Sequence, residues 1–102
     1  MEEARDFLKS LSKEIRRKIG INIRRVQKDE RNVELFKKLE GTEIWEFRTL
    51  YNGLQYRLLA FWDEQEKRLV VATHGFVKKT WKVPKKEIAR AEALRKKYYE
   101  SK

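Results

Sequence analysis

Residues 44–62, IWEFRTLYNGLQYRLLAFW, decide the fold. Two runs rich in aromatic and apolar residues flank Asn52-Gly53, and Asn-Gly is the strongest short-range signal for a two-residue type I′ hairpin. With that pair as the loop, Tyr51 faces Leu54, and the numbers of opposed residues always sum to 105. One face then pairs Trp45 with Ala60, Phe47 with Leu58 and Thr49 with Tyr56. It is mostly apolar and is predicted to meet helices. The other face pairs Ile44 with Phe61, Glu46 with Leu59 and Arg48 with Arg57. Like charges directly opposite each other destabilise a strand pair. Such a pair survives where it is open to water or where an anion bridges it. Glu46, on the same face, is expected to offset only one of the two charges.

The elements on either side follow from period and punctuation. After a polar turn at 63–67, residues 68–74 read as a third strand. If Leu69, Val71 and Thr73 point inward, His74 falls on the arginine face, and one register sets it beside Arg57. Residues 75–83 read as a basic loop. Pro84 fits the first position of a helix running to about Tyr99, with Ile88, Ala91, Leu94 and Tyr98 along one side. Upstream, residues 3–28 carry apolar residues at helical spacing: Ala4, Phe7, Leu8 and Leu11, then Ile15, Ile19, Ile23 and Val26. Ser10 and Ser12 are candidate caps that split this stretch into two helices. Arg16, Arg17, Arg24 and Arg25 are expected to face outward, and a short helical turn is expected over 33–39. The prediction is one α+β domain over 1–102. An N-terminal helix pair and a C-terminal helix pack on a small antiparallel β-meander, all covering one sheet face.

Composition narrows the chemistry. The chain has 102 residues, with 26 Lys and Arg against 16 Asp and Glu, one His and no Cys. Without cysteine there is no disulfide scaffold, Cys zinc site or thiol nucleophile, and one histidine excludes multi-His metal sites. No apolar run approaches the ~18 residues of a membrane span, and Met1-Glu2-Glu3 is too acidic for a signal peptide, so a cytoplasmic location is expected. The charge is uneven: residues 1–75 carry 16 basic and 13 acidic side chains, residues 76–102 carry 10 and 3. A basic tail on a balanced body suits a polyanionic partner.

The candidate site follows from these two readings. Arg48, Arg57, His74 and Lys78 or Lys79 converge on a shallow sheet surface flanked by aromatic rings, the usual kind of surface for single-stranded RNA. Each has a plainer reading: the arginines can reach loop carboxylates, His74 can simply end a strand, and the lysines can be solvated. Trp45 and Trp62 are expected in the core, leaving Trp81 as a stacking platform beside Lys82.

The segments Ile44-Trp45-Glu46-Phe47-Arg48, Tyr56-Arg57-Leu58-Leu59-Ala60-Phe61-Trp62, His74-Gly75-Phe76-Val77-Lys78-Lys79-Thr80 and Pro84-Lys85-Lys86-Glu87-Ile88 carry a resemblance. In order and spacing the chain resembles the HigB-like, phage Gp49-like branch of the RelE/ParE toxin superfamily, over about residues 35–95. The resemblance implies a type II toxin neutralised by a helix-turn-helix, HigA-like antitoxin. It also implies cleavage of mRNA, generally in the ribosomal A site, without a metal or other cofactor. Carried over by position, Arg57 matches the strand arginine that binds the scissile phosphate, Arg48 the arginine closing the Trp-Glu-Leu-Arg type motif, and Lys78 and Lys79 the basic pair. His74 joins them as a catalytic candidate, with Trp81, Lys82 and Glu46 as RNA-binding candidates. Three departures bear on this. The N-terminal strand usual in the family is missing or supplied otherwise. Trp81 and Val83 stand where the branch has Gln and Thr. Ile44 and Glu46 align with the lysine pair of RelE, so the general base is open among a lysine, His74 and Glu46. Two alternatives remain: a ParE-like poison of DNA gyrase, and a basic module that binds RNA or the ribosome without cutting.

Overall fold

Asn52 and Gly53 both have positive φ, +50° and +76°, the pair of left-handed residues that a type I′ turn requires. The turn joins β2 (Trp45–Tyr51) to β3 (Leu54–Trp62). The predicted register holds from Trp45 opposite Ala60 to Tyr51 opposite Leu54, with Arg48 opposite Arg57, while Ile44 lies just ahead of β2 and outside the ladder. This computed structural model describes residues 1–28, 32–66, 70–79 and 82–101. The remaining elements are α1 (Glu2–Lys9), α2 (Lys13–Gln27), β1 (Phe36–Lys38), β4 (Val70–Lys78) and α3 (Lys85–Glu100). The antiparallel sheet runs β1-β2-β3-β4.

The helix pair forms as expected. Ser12 caps α2, its hydroxyl accepting from the Ile15 amide at 3.3 Å, and Arg16, Arg17, Arg24 and Arg25 are exposed. α1 and α2 lie on the apolar face, where Ala4, Phe7, Ile23 and Val26 pack with Phe47, Leu58 and Ala60. The buried Asn22 of α2 donates to Thr49 Oγ1 at 3.1 Å. Gly75 lets α1 approach β4 closely, since a Cβ there would lie 2.1 Å from the Phe7 ring.

Four expectations are corrected. First, the helices do not share one face. α3 packs on the opposite side, its Ala91, Tyr98 and Tyr99 against Ile44, Leu59, Phe61 and Val71. The arginine face is apolar at the end far from the turn, and that end demands a cover. Second, residues 36–38 form a strand instead of continuing a helical turn. A short turn folds back on Asn32, and Phe36 then stacks on Phe47 and Trp45, with ring centroids 4.4 and 4.7 Å away. β1 thus supplies the strand beside β2. Third, β4 extends to Lys78, so the expected basic loop is shorter, and a bulge opposite Leu59/Ala60 breaks the alternation of β4. Thr73 is the extra residue, which puts Val71 on the same face as His74. Fourth, Trp62 is 39% exposed, standing edge-on to Trp45 and Phe36 instead of filling the core. Pro84 is the N-cap of α3, one residue before the expected position.

Candidate functional site

The register lays out the arginine face as a grid. Lys37, Glu46, Leu59 and His74 form one row across the four strands. Arg48, Arg57 and Phe76 form the next, and Leu50, Gln55 and Lys78 the row nearest the Asn-Gly turn. Because α3 packs on Leu59, Phe61 and Val71, the rows nearer the turn are the open part of the face.

The facing arginines are reconciled from within the protein. Glu46 is 2% exposed and lies between them, with Oε1 3.3 Å from Arg48 Nε and Oε2 3.5 Å from Arg57 Nε. These are charge contacts rather than aligned hydrogen bonds, since both Nε atoms and Glu46 Oε2 are buried without a hydrogen-bond partner. Glu46 touches both guanidiniums while its one negative charge offsets one of the two, as expected, and its burial makes it a support for the arginines and not a surface for RNA.

Arg57 shares a face with Arg48 as predicted, but only Arg48 is open. Arg57 is 3% exposed. Its Nη1 donates to the Tyr56 carbonyl at 3.2 Å and its Nη2 donates to Gln55 Oε1. Burial lowers its pKa, Glu46 raises it and Arg48 lowers it further. The Arg48 side chain is 28% exposed, with Nη1 donating to the Val33 carbonyl at 3.1 Å. Lys78 borders the same cluster. Burial lowers its pKa first, and the neighbouring charges of Arg57, Arg48 and Lys37 lower it further against an opposing pull from Glu46. Lys78 and Lys37 make no ion pair among the described residues. Among the described residues, Arg48, Arg57, Lys78 and Lys37 stand against one carboxylate, Glu46, an excess of three positive charges.

His74, by contrast, lies apart from this cluster. His74 is 1% exposed beneath the first turn of α3, with Nδ1 3.2 Å from Thr73 Oγ1 and Nε2 3.2 Å from Glu87 Oε1. Burial lowers its pKa, and the hydrogen bond to the Glu87 carboxylate opposes that shift. The imidazole therefore joins β4 to α3 and does not reach the open rows. Lys79 is exposed just past β4, and Lys82 is exposed ahead of α3. Trp81 lies outside the described residues. Two residues of the cluster escaped the sequence reading. Gln55 was legible, since it precedes Arg57 by two on the same strand and so shares its face. Lys37 was not, because nothing flagged β1 as a strand.

The family model for the Phage derived protein Gp49-like family (DUF891) matches residues 6–96, nearly the whole chain and every element that builds this face. The chain belongs to the Gp49-like family. No curated protein matches it. The Gp49-like proteins are a RelE/HigB-like toxin family, so membership fits the toxin of a toxin–antitoxin system with an antitoxin as its partner. No helix among the described residues is long and apolar enough to cross a membrane.

Proposed function

We propose that this Gp49-like protein is a type II toxin that cleaves mRNA at the open rows of its arginine face, in the cytoplasm and on the ribosome. The observation that carries the reading is the excess of three positive charges that the described residues hold around one buried carboxylate. RNA supplies its own nucleophile, the 2′-hydroxyl, so the protein has to hold the phosphate, take one proton and stabilise the developing charge. Arg48 and Lys78 meet the phosphate first. Arg57 is fixed behind them, where a guanidinium suits the growing negative charge of the pentavalent phosphorus. Lys78 is the favoured base, because its depressed pKa brings the neutral amine closer to working pH. The 2′-oxygen bonds to phosphorus as the P–O5′ bond breaks, and water protonates the departing 5′-oxygen, leaving a 2′,3′-cyclic phosphate and a 5′-hydroxyl. A helix-turn-helix antitoxin with acidic side chains over this face would silence it.

The rival reading, a module that binds RNA without cutting it, draws on the burial of Arg57 and of His74. Induced expression separates the two. Primer extension on cellular mRNA should reveal new 5′ ends in the wild type, absent when translation is blocked and absent in Arg48→Ala and Lys78→Ala. Growth arrest without new 5′ ends would reject cleavage.

A further inference from the structure

Arg57 is the arginine that the family resemblance assigns to the phosphate, yet each edge of its guanidinium is engaged. Nε lies beside Glu46, Nη1 donates to the Tyr56 carbonyl, and Nη2 donates to Gln55 Oε1. The first two partners cannot yield. Glu46 is 2% exposed between two arginines, and the Tyr56 carbonyl is backbone within β3. Gln55 differs, being an exposed side chain one residue into the strand that leaves the Asn-Gly turn. Rotation of that one amide opens the Nη2 edge to the face between Leu50 and Lys78, its partners in register.

We propose that Gln55 is a gate on Arg57, holding the Nη2 edge until a phosphodiester oxygen of RNA takes the place of the amide oxygen. The inference rests on the reading that this face binds RNA phosphate. The exchange favours an anion specifically. Water would replace one neutral acceptor with another, whereas a phosphate oxygen adds a full negative charge and turns the hydrogen bond to the guanidinium into an ion pair. Lys78, opposite Gln55 in the register, adds its own attraction for the incoming phosphate. The gate thus keeps Arg57 in its aimed position in the free protein and releases it only to a ligand carrying negative charge.

The test is the affinity of a non-cleavable, 2′-O-methyl single-stranded RNA, read by fluorescence anisotropy. Gln55→Ala removes a competing neutral acceptor and should tighten binding about fivefold. Gln55→Glu offers Arg57 an anion of its own and should weaken binding at least about tenfold. In an Arg57→Gln background, Gln55→Ala should change nothing. Should that buried variant fail to fold, Arg57→Lys serves, since lysine lacks the second edge that Gln55 covers. Gln55→Ala binding equal to or weaker than the wild type overturns the gate. If it is unchanged while Lys78→Ala loses affinity, only the gate fails. If neither Lys78→Ala nor the Arg57 variants lose affinity, the RNA-phosphate reading fails with it.

Discussion

Glu46→Gln is the substitution with the most to say about how this face is built. The carboxylate is 2% exposed and lies 3.3 Å from one guanidinium Nε and 3.5 Å from another. At the effective dielectric suited to protein sites, each contact is worth about 4 kcal/mol of attraction. Against that stands the cost of burying a carboxylate, several kcal/mol, which glutamine largely escapes. Breaking a buried pair by removing one partner typically costs ~3–5 kcal/mol. The unaligned geometry here argues for the lower end, about 3 kcal/mol. For a chain of this size each kcal/mol is worth about 5 °C, so the melting temperature should fall by roughly 15 °C. Urea unfolding gives the free energy directly, with an unchanged slope if the native state keeps its shape. A double-mutant cycle with Arg57→Gln should show coupling of at least about 1 kcal/mol, because the second change removes one of the cations stranded by the first. Inorganic phosphate should restore part of the stability of Glu46→Gln, standing in for the lost anion. A loss below about 1 kcal/mol, or losses that simply add in the cycle, would refute the buried clamp.

Three further outcomes follow from the same geometry. If neutral Lys78 takes the 2′-hydroxyl proton, single-turnover mRNA cleavage should rise with pH and level off below the ordinary lysine range, since burial and Arg57 lower its pKa. Lys78→Arg, charged at every working pH, should keep RNA binding yet cleave at least about 10²-fold more slowly, and unimpaired cleavage would exclude this base. His74 is held below its ordinary value by burial, so as pH falls through about 6.5 the unfolded chain gains a proton that the folded chain resists. Stability should therefore drop from that point toward the lower folded pKa, and His74→Gln should flatten the decline in a thermal melt series. Gly75→Ala would place a Cβ 2.1 Å from Phe7 Cδ2 and should cost about 1–3 kcal/mol by urea unfolding, with partial relief from Phe7→Leu.

What was legible in the sequence was whatever local chemistry determines. Asn52-Gly53 fixed the turn, the turn fixed the register, and the register put Arg48 opposite Arg57. Ser12 marked the start of α2 because a hydroxyl there satisfies an otherwise unpaired amide. The misses were tertiary. Phe36 reads equally well in a short helix, and only stacking on Phe47 and Trp45 makes residues 36–38 a strand. The bulge at Thr73 has no local signal either. It depends on the Thr73 hydroxyl reaching the Leu59 carbonyl at 3.2 Å, a contact across strands. The covering of the second face by α3 was readable in part. Ile44 and Phe61 belong to one buried cluster at that end of the sheet, and two large apolar residues there seldom stay in water.

The correction about Glu46 changes what the arginine pair means. Two facing arginines suggest a site waiting for an anion, and on that view relieving the pair by Arg57→Ala would leave the fold as stable or improve it. With Glu46 between them both guanidiniums are already held by the fold, and removing Arg57 would strip a buried carboxylate of one of its two partners. The site is therefore in two layers. Beneath lies Glu46 with Arg57, assembled without any ligand and locked on its exposed side by Gln55. Above lie Arg48, partly open, and Lys78 and Lys37 with no carboxylate of their own among the described residues. The lower layer gives the upper one a rigid footing, and the upper layer holds the charge that the fold does not use. That unused charge is what a polyanion would recognise.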